Sequence, residues 1–425
     1  MVHSESALPL DRYTVVSMNF SYVIISLYFD CDIKNSFILL GFMIAVKVIK
    51  SSILYNGLDE KNNYYIGFED ERITYVGLEK PVQKDYEIIA EDVVVTPAFI
   101  DSHSHIGMSR AGEPEAEDES NEQMNAIFPL IDALHSIYMD DVSFVESVEN
   151  GVLYSVVLPG SGNIVGGRAV LIRNFESNIE KAYIKDIGIK MALGFNPRRT
   201  TDWKGERPST RMGAIAILRN NLLKAKKTQN LLDNHKKDIN DVEPVTEIFM
   251  EMISRKIKVM AHLHKEDDAM MLIRLSKEFG LDSIANHCMD IYRKDVYSYL
   301  YSNKIPVIYG PLDSFPYKVE LKHESWKNVK PLIDSNIKFS IMSDHPVILQ
   351  RNIFYTLRHL LRFGLSKAKA ISKITKESAE IIGANDLGQI KAGFISSFIV
   401  WNGDPFSLDS YPVMSIAEGK VVYKE

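Results

Sequence analysis

The sequence predicts an α/β protein: a (β/α)8 TIM-like barrel with a small β-sandwich built from its N- and C-terminal segments. Three observations carry this. Between residues 257 and 382 short apolar strands alternate with amphipathic helices, the pattern of parallel βα units. Residues 46–95 and 390–425 contain short strands and turns without helices. Histidines and an aspartate recur where predicted strands end, and in a barrel those ends converge on one face. The expected division is an N-terminal extension over 1–45, the sandwich over 46–95 plus 390–425, and the barrel over 96–389.

The composition allows this. The chain has 425 residues, 46% hydrophobic and 25% charged, enough for a large core and more than one structural unit. The net charge is -7 and no basic stripe is interleaved with aromatics, which argues against a nucleic-acid partner. The two cysteines, Cys31 and Cys288, exclude a disulfide framework and a Cys-based zinc site, and they fit a reducing, cytoplasmic setting. The apolar run Phe37 to Val46 is too short to span a bilayer, and its flanks do not resemble a signal peptide. Residues 1–45 are therefore expected to pack on the body as an extra strand or helix, or to reflect a start placed too early, with Met43 as the natural one. No membrane association is expected, and a homo-oligomer is left open.

In chain order, Val46 to Tyr55 reads as a strand, and Tyr64 to Phe68 with Arg72 to Val76 as a hairpin across an acidic turn. Val93 to Val95 leads into Thr96-Pro97-Ala98-Phe99-Ile100-Asp101-Ser102-His103-Ser104-His105. An acidic loop, Ser109 to Glu122, precedes a helical pattern near Glu122 to Tyr138. Gly151 to Leu158 and Ile187 to Gly194 read as strands, and Pro208 to Lys227 and Val242 to Arg255 as helices. Ile257 to Ala261 is a strand ending at His262-Leu263-His264, and Glu266 to Phe279 is an amphipathic helix. Ser283 to Ala285 ends at Asn286-His287, and Lys338 to Met342 ends at Ser343-Asp344-His345. Between and after them come helices at Tyr292 to Ser302, Trp326 to Asp334, Leu349 to Phe363 and Lys367 to Ile382, with a strand at Pro306 to Tyr309. Ser396 to Trp401, Val413 to Ala417 and Lys420 to Tyr423 close the chain as strands.

The chemistry is concentrated at the strand ends. Strand side chains alternate faces, so His103 and His105 point the same way and can reach one metal ion. Imidazoles with a carboxylate suit Zn²⁺ or another first-row divalent metal, and a catalytic site keeps an open position for water. A carboxylate beside that water can take its proton. Arg168, Arg198 and Arg199 are candidates for binding a substrate carboxylate in bidentate fashion, with solvated loop charges as the alternative.

These residues resemble the amidohydrolase superfamily, and within it the branch of imidazolonepropionase-related amidohydrolases. The matching stretches are Pro97-x-x-Ile100-Asp101-x-His103-x-His105, Leu158-Pro159-Gly160-Ser161-x-Asn163, Asn196-Pro197, His262-x-His264, His287, Asp344-His345-Pro346 and Gly403-Asp404-Pro405-Phe406. The resemblance implies that His103, His105, His262 and Asp344 bind metal, with His264 nearer the substrate. It implies that His287 is a ligand of a second metal or a hydrogen-bond donor, and that Asp344 is also the general base. The fourth strand departs from the branch. Its relatives carry an acidic bridging ligand in Gly-Glu-Asn-Pro, where this chain has Gly194-Phe195-Asn196-Pro197. Elsewhere in the superfamily a carboxylated lysine plays that part, and Lys190 is expected to lie too deep in the barrel to do so. One metal per chain, zinc before iron, is therefore expected.

The implied activity is metal-dependent hydrolysis of non-peptide carbon–nitrogen bonds in a small molecule, a cyclic amide by preference. Metal-activated water is the nucleophile and Asp344 the base. The alternative is a barrel with weakened or lost catalysis that binds a metal or ligand.

Overall fold

The computed structural model describes residues 46–82, 85–198 and 207–425. The expectations for residues 1–45 and for Arg199 fall outside these ranges.

Two sheets organise the chain. The first comprises β1 (Val46–Tyr55), β2 (Glu60–Glu69), β3 (Arg72–Gly77) and β4 (Tyr86–Pro97). The second comprises β5 (Phe99–Ser104), β6 (Val152–Val157), β7 (Val165–Arg173), β8 (Tyr183–Ala192), β9 (Lys258–Leu263), β10 (Ser283–His287), β11 (Val307–Tyr309) and β12 (Phe339–Ile341). The last strands, β13 (Phe398–Trp401), β14 (Pro412–Ala417) and β15 (Lys420–Lys424), return to the first sheet. That sheet has seven strands in the order β15-β14-β13-β4-β1-β2-β3, so both ends of the described chain share it. Its apolar side chains, among them Ile49, Ile66, Phe68, Val95, Phe398 and Ile416, form a core of their own.

The eight strands of the second sheet follow chain order from β5 to β12. Its outer strands meet: Asp344 N–H donates to the His103 carbonyl at 3.1 Å, and the Ser102 and Ser340 hydroxyls lie 2.9 Å apart. The result is a nearly closed barrel. Strands β8 to β12 are parallel, with the helices Pro244–Ile253, Glu266–Phe279 and Lys294–Ser302 among the crossovers.

One strand departs from a simple (β/α)8 repeat. β7 runs antiparallel to both β6 and β8. The physical reason is loop length. A parallel crossover needs a dozen or more residues, whereas β6 and β7 are joined by the seven residues Leu158 to Ile164. Two antiparallel steps in succession restore the strand direction, so β8 ends on the same face as β5. A second departure concerns Glu122 to Tyr138. No α-helix forms there; one 3-10 turn, Ala133–Ser136, is all the helix it holds. Pro129 removes an N–H in mid-segment, and the chain instead lies along β7, with Phe128 N–H donating to the Val165 carbonyl.

The barrel's first strand is held firmly. β4 passes through Ala98 into β5, and Ala98 N–H donates to the Ser397 carbonyl at 3.0 Å. Phe99 stacks on Phe354 at 5.3 Å and lies 6.2 Å from Trp401. Buried aromatic packing of this kind sets the strand that carries His103 with little positional freedom.

Candidate metal centre

The strand ends gather as the sequence suggests. His103 lies on β5, with His105 just beyond it; their rings are 5.5 Å apart. His262 lies on β9 and His264 follows, with rings 4.8 Å apart. His287 ends β10, and its ring lies 4.8 Å from that of His103, 4.3 Å from His262 and 4.9 Å from His264. Asp344 follows β12. Three residues at these strand ends are left-handed without being glycine: His287 (φ 72), Cys288 (φ 58) and Asp344 (φ 52). Such conformations persist where the surroundings over-determine them, and they cluster at functional sites.

Hydrogen bonds select the ring tautomers. His105 Nδ1 lies 2.7 Å from the Leu158 carbonyl and His287 Nδ1 lies 3.1 Å from the Gly310 carbonyl. A carbonyl only accepts, so each Nδ1 carries the proton and each Nε2 presents a lone pair. His262 Nδ1 pairs with the Ser161 hydroxyl at 2.7 Å. His262 Nε2, His287 Nε2 and both nitrogens of His264 are buried without a hydrogen-bond partner. Burial, the largest effect, pushes His103, His262, His264 and His287 well below the usual imidazole value, and nearby Lys190 or Lys318 adds to this. These rings are therefore neutral near pH 7, the form that ligates metals.

The ligand atoms fall into two groups, His103–His105–Asp344 and His262–His264–His287, each with its atoms within 4.8 Å of one another. His262 thus groups with His264 and His287. Asp344 Oδ1 lies 3.3 Å from His103 Nε2 and 3.4 Å from His105 Nε2. Zinc–nitrogen and zinc–oxygen bonds of about 2.0–2.2 Å put the donors of a tetrahedral site roughly 3.3–3.5 Å apart. Asp344 Oδ1 has this spacing from both histidines, and the donor set fits a divalent cation. Burial pushes the Asp344 carboxyl up, but His287, His105 and Lys190 outweigh it and hold it at about 2.

Lys190 corrects the sequence reading. It is fully buried, and its Nζ lies 3.2 Å from His103 Nε2. Its register partner on β9 is Met260, one same-face step below the Ala192–His262 pair. The four-carbon stem spans that step, so a residue that starts deep ends in the site. Burial brings its pKa down to about 7, opposed by Asp344.

The sequence reading misses Glu320 altogether. It sits in a 3-10 turn, Val319–Leu321, between β11 and β12, and is 2% exposed. Its Oε1 lies 3.5 Å from His262 Nε2 and 3.8 Å from His264 Nε2. Its Oε2 accepts from Phe195 N–H at 3.0 Å. Nothing in the local sequence separates Glu320 from the other acidic residues; only the loop's path places it.

The predicted substrate arginines divide. Arg168 is engaged with Asp186 at 3.0 Å and Glu251 at 3.9 Å, and does not join the histidines. Arg198 stays near the rim, its Nε donating to the Gly194 carbonyl at 2.9 Å.

Behind the first group, Gln350 ties β5, β6 and the residue that follows β7 together. Its amide nitrogen donates to Asp101 Oδ2 and to Ser155 Oγ, both at 2.9 Å, and its amide oxygen accepts from Asn174 at 3.0 Å. Asp101 also accepts from the Ser343 hydroxyl and from the backbone of His103 and Ser343. Burial pushes the Asp101 carboxyl up to about 6, against these hydrogen bonds. Gln350→Ala leaves Asp101 short of a donor, so it should cost about 1–3 kcal/mol. The expected result is a clear fall in Tm by differential scanning calorimetry; an unchanged Tm would show that the network is dispensable.

A barrel whose strand ends carry two His-x-His pairs, a further histidine and an aspartate presents a donor set that could hold a divalent metal ion. Residues 215–424 match the amidohydrolase family. An amidohydrolase from Thermotoga maritima MSB8 superposes with a TM-score of 0.82 at 27% identity, over 89% of this chain and 100% of that one. The amidohydrolase tasK of Hapsidospora irregularis is 24% identical over 362 residues, 79% of this chain. This chain spans only 37% of that protein's length. The A. niger ochratoxinase shares the fold, with a TM-score of 0.57 at 14% identity over 90% of this chain and 96% of that one. Among the described residues, no helix is long and apolar enough to cross a membrane.

Proposed function

We propose that this protein is a metal-dependent hydrolase of non-peptide carbon–nitrogen bonds, acting on a cyclic amide in the manner of the imidazolonepropionase-related branch. The observation that carries this reading is the tetrahedral-edge spacing of Asp344 Oδ1 from both His103 Nε2 and His105 Nε2. A divalent cation bound there, with zinc best suited to the donors, would polarise the substrate carbonyl and lower the pKa of water.

The chain's own residues do the rest. Asp344, ionised near pH 7, accepts the proton of the attacking water and passes it to the leaving nitrogen. His287 donates its Nδ1 proton to the Gly310 carbonyl, so its Nε2 is a lone-pair donor to a cation and not a proton donor to an oxyanion. His264 closes the cluster on the substrate side. Arg198, whose Nε donates to the Gly194 carbonyl, is the candidate we retain for binding a substrate carboxylate. We read the seven-stranded sheet as the small sandwich that supports the barrel, with a reducing, cytoplasmic setting.

The test is a hydrolysis screen of zinc-loaded protein over cyclic amides, N-acyl amino acids and dipeptides. Turnover of a cyclic amide, abolished by a chelator and restored by zinc, is the expected outcome. Turnover of dipeptides alone would replace the substrate class, and turnover unaffected by chelation would remove the metal.

A further inference from the structure

The buried carboxylate of Glu320 has no counterpart in the sequence-based ligand set. It meets the barrel at the point where β8 would be expected to supply an acid and supplies Phe195. Its Oε2 accepts the backbone N–H of Phe195 itself at 3.0 Å, although the two residues are 125 positions apart. The approach depends on Gly194 (φ 83): a Cβ there would lie 2.9 Å from Oε2, closer than side chains pack. The carboxylate therefore occupies the strand end from above, brought by the loop that follows β11.

Its other oxygen faces the histidines. Oε1 lies 3.5 Å from His262 Nε2 and 3.8 Å from His264 Nε2. It also accepts from Lys318 Nζ at 2.9 Å. The Asn196 amide, oriented so that both its atoms are satisfied, donates to it at 3.0 Å and accepts from Lys318 at 3.3 Å. The ion pair with Lys318 accounts for the acid's charge. It does not account for the imidazoles. His262 Nε2, His287 Nε2 and both His264 nitrogens remain without partners in a buried space. Native interiors satisfy such atoms with a protein group, water or an ion. A carboxylate oxygen at or slightly beyond a tetrahedral edge from two imidazole nitrogens would draw together with them on a cation.

We propose that Glu320 is a metal ligand that replaces, from the loop after β11, the acid missing at Phe195. With His262 and His264, and with His287 Nε2 close by, it holds a second divalent cation beside the one assigned to His103, His105 and Asp344. This deepens the hydrolase reading and rests on it for the first cation only. A second cation held there would add Lewis-acid polarisation of a carbonyl and activation of water to what the first supplies. Lys318 and Asn196 then act as the outer hydrogen-bonding shell that fixes the carboxylate.

The test is metal content of untagged protein, loaded with Zn²⁺, dialysed and measured by inductively coupled plasma mass spectrometry. Co²⁺ loading adds a visible spectrum for each occupied site. Wild type should hold two cations per chain. Glu320→Gln should keep one, with the second weakened by more than the ~10–100-fold that loss of an outer-shell partner costs. His264→Asn is read in the same way and serves if Glu320→Gln does not fold. His103→Ala should keep the Glu320 cation. Two cations of unchanged affinity in Glu320→Gln would make the carboxylate an ion-pair partner of Lys318 only, and would overturn the proposal. A single wild-type cation that survives Glu320→Gln overturns it too, while leaving the hydrolase reading intact. No bound cation at all would end both.

Discussion

Asp344→Asn is expected to lower kcat/KM about 10³-fold, within the ~10²–10⁴ that a positioned proton-transfer group contributes. Asparagine is the informative replacement. Asp344 sits at φ 52, and Asn tolerates that left-handed conformation as well as Asp does. The backbone bond from residue 344 to the His103 carbonyl is retained, so the barrel seam should hold. The amide can still offer an oxygen toward the cation but cannot take up a proton near pH 7. The loss should therefore fall mainly on kcat, with KM little changed, as for an interaction made only in the transition state. Circular dichroism and Tm should match wild type. Activity within about threefold of wild type would remove Asp344 as the base, since even weak general bases contribute more.

His103→Ala should abolish turnover and remove the cation held with His105 and Asp344. His103 is fully buried, and its Nε2 lies 3.3 Å from Asp344 Oδ1 and 3.2 Å from Lys190 Nζ. With His105 and Asp344 alone, two donors remain where a stable zinc site needs three from the protein. Mass-spectrometric metal content should fall by one cation per chain. The variant should also lose the stabilisation that excess zinc confers on wild type, since a ligand raises stability only when it binds the folded state. Thermal scans with and without zinc read this directly. A His103→Ala protein that keeps the wild-type metal content would place that cation elsewhere.

The match between sequence and structure varies with the range of the forces involved. Glu266–Phe279 forms as a helix between the bounds that its apolar period indicates, with Gly280 closing it in the left-handed conformation (φ 76). β1 likewise follows its pattern. Leu349 to Phe363 reads as one helix but breaks into Ile353–Thr356 and Arg358–Arg362. Helix Arg211–Asp233 extends past Lys227, where the sequence pattern ends it, into a polar stretch. In both cases tertiary packing overrides local preference.

The site divides along the same line. His103, His105, His262, His287 and Asp344 are legible because each ends a short apolar strand, and barrel topology brings parallel strand ends together. Lys190 is misplaced because spacing gives the position of a Cα and not the reach of a four-carbon stem. The reversed strand β7 is hidden because the apolar run at Ala169 to Ile172 carries no direction; only the short connection before it does. Glu320 is invisible because its role depends on a loop path and on the space left by Gly194. The sequence by itself determined the barrel class and a histidine-rich strand-end site, through periodic patterns that report local burial. Only the tertiary structure decided how the histidines and Asp344 group and that Glu320 and Lys190 reach them, since those relations arise between side chains far apart in the chain.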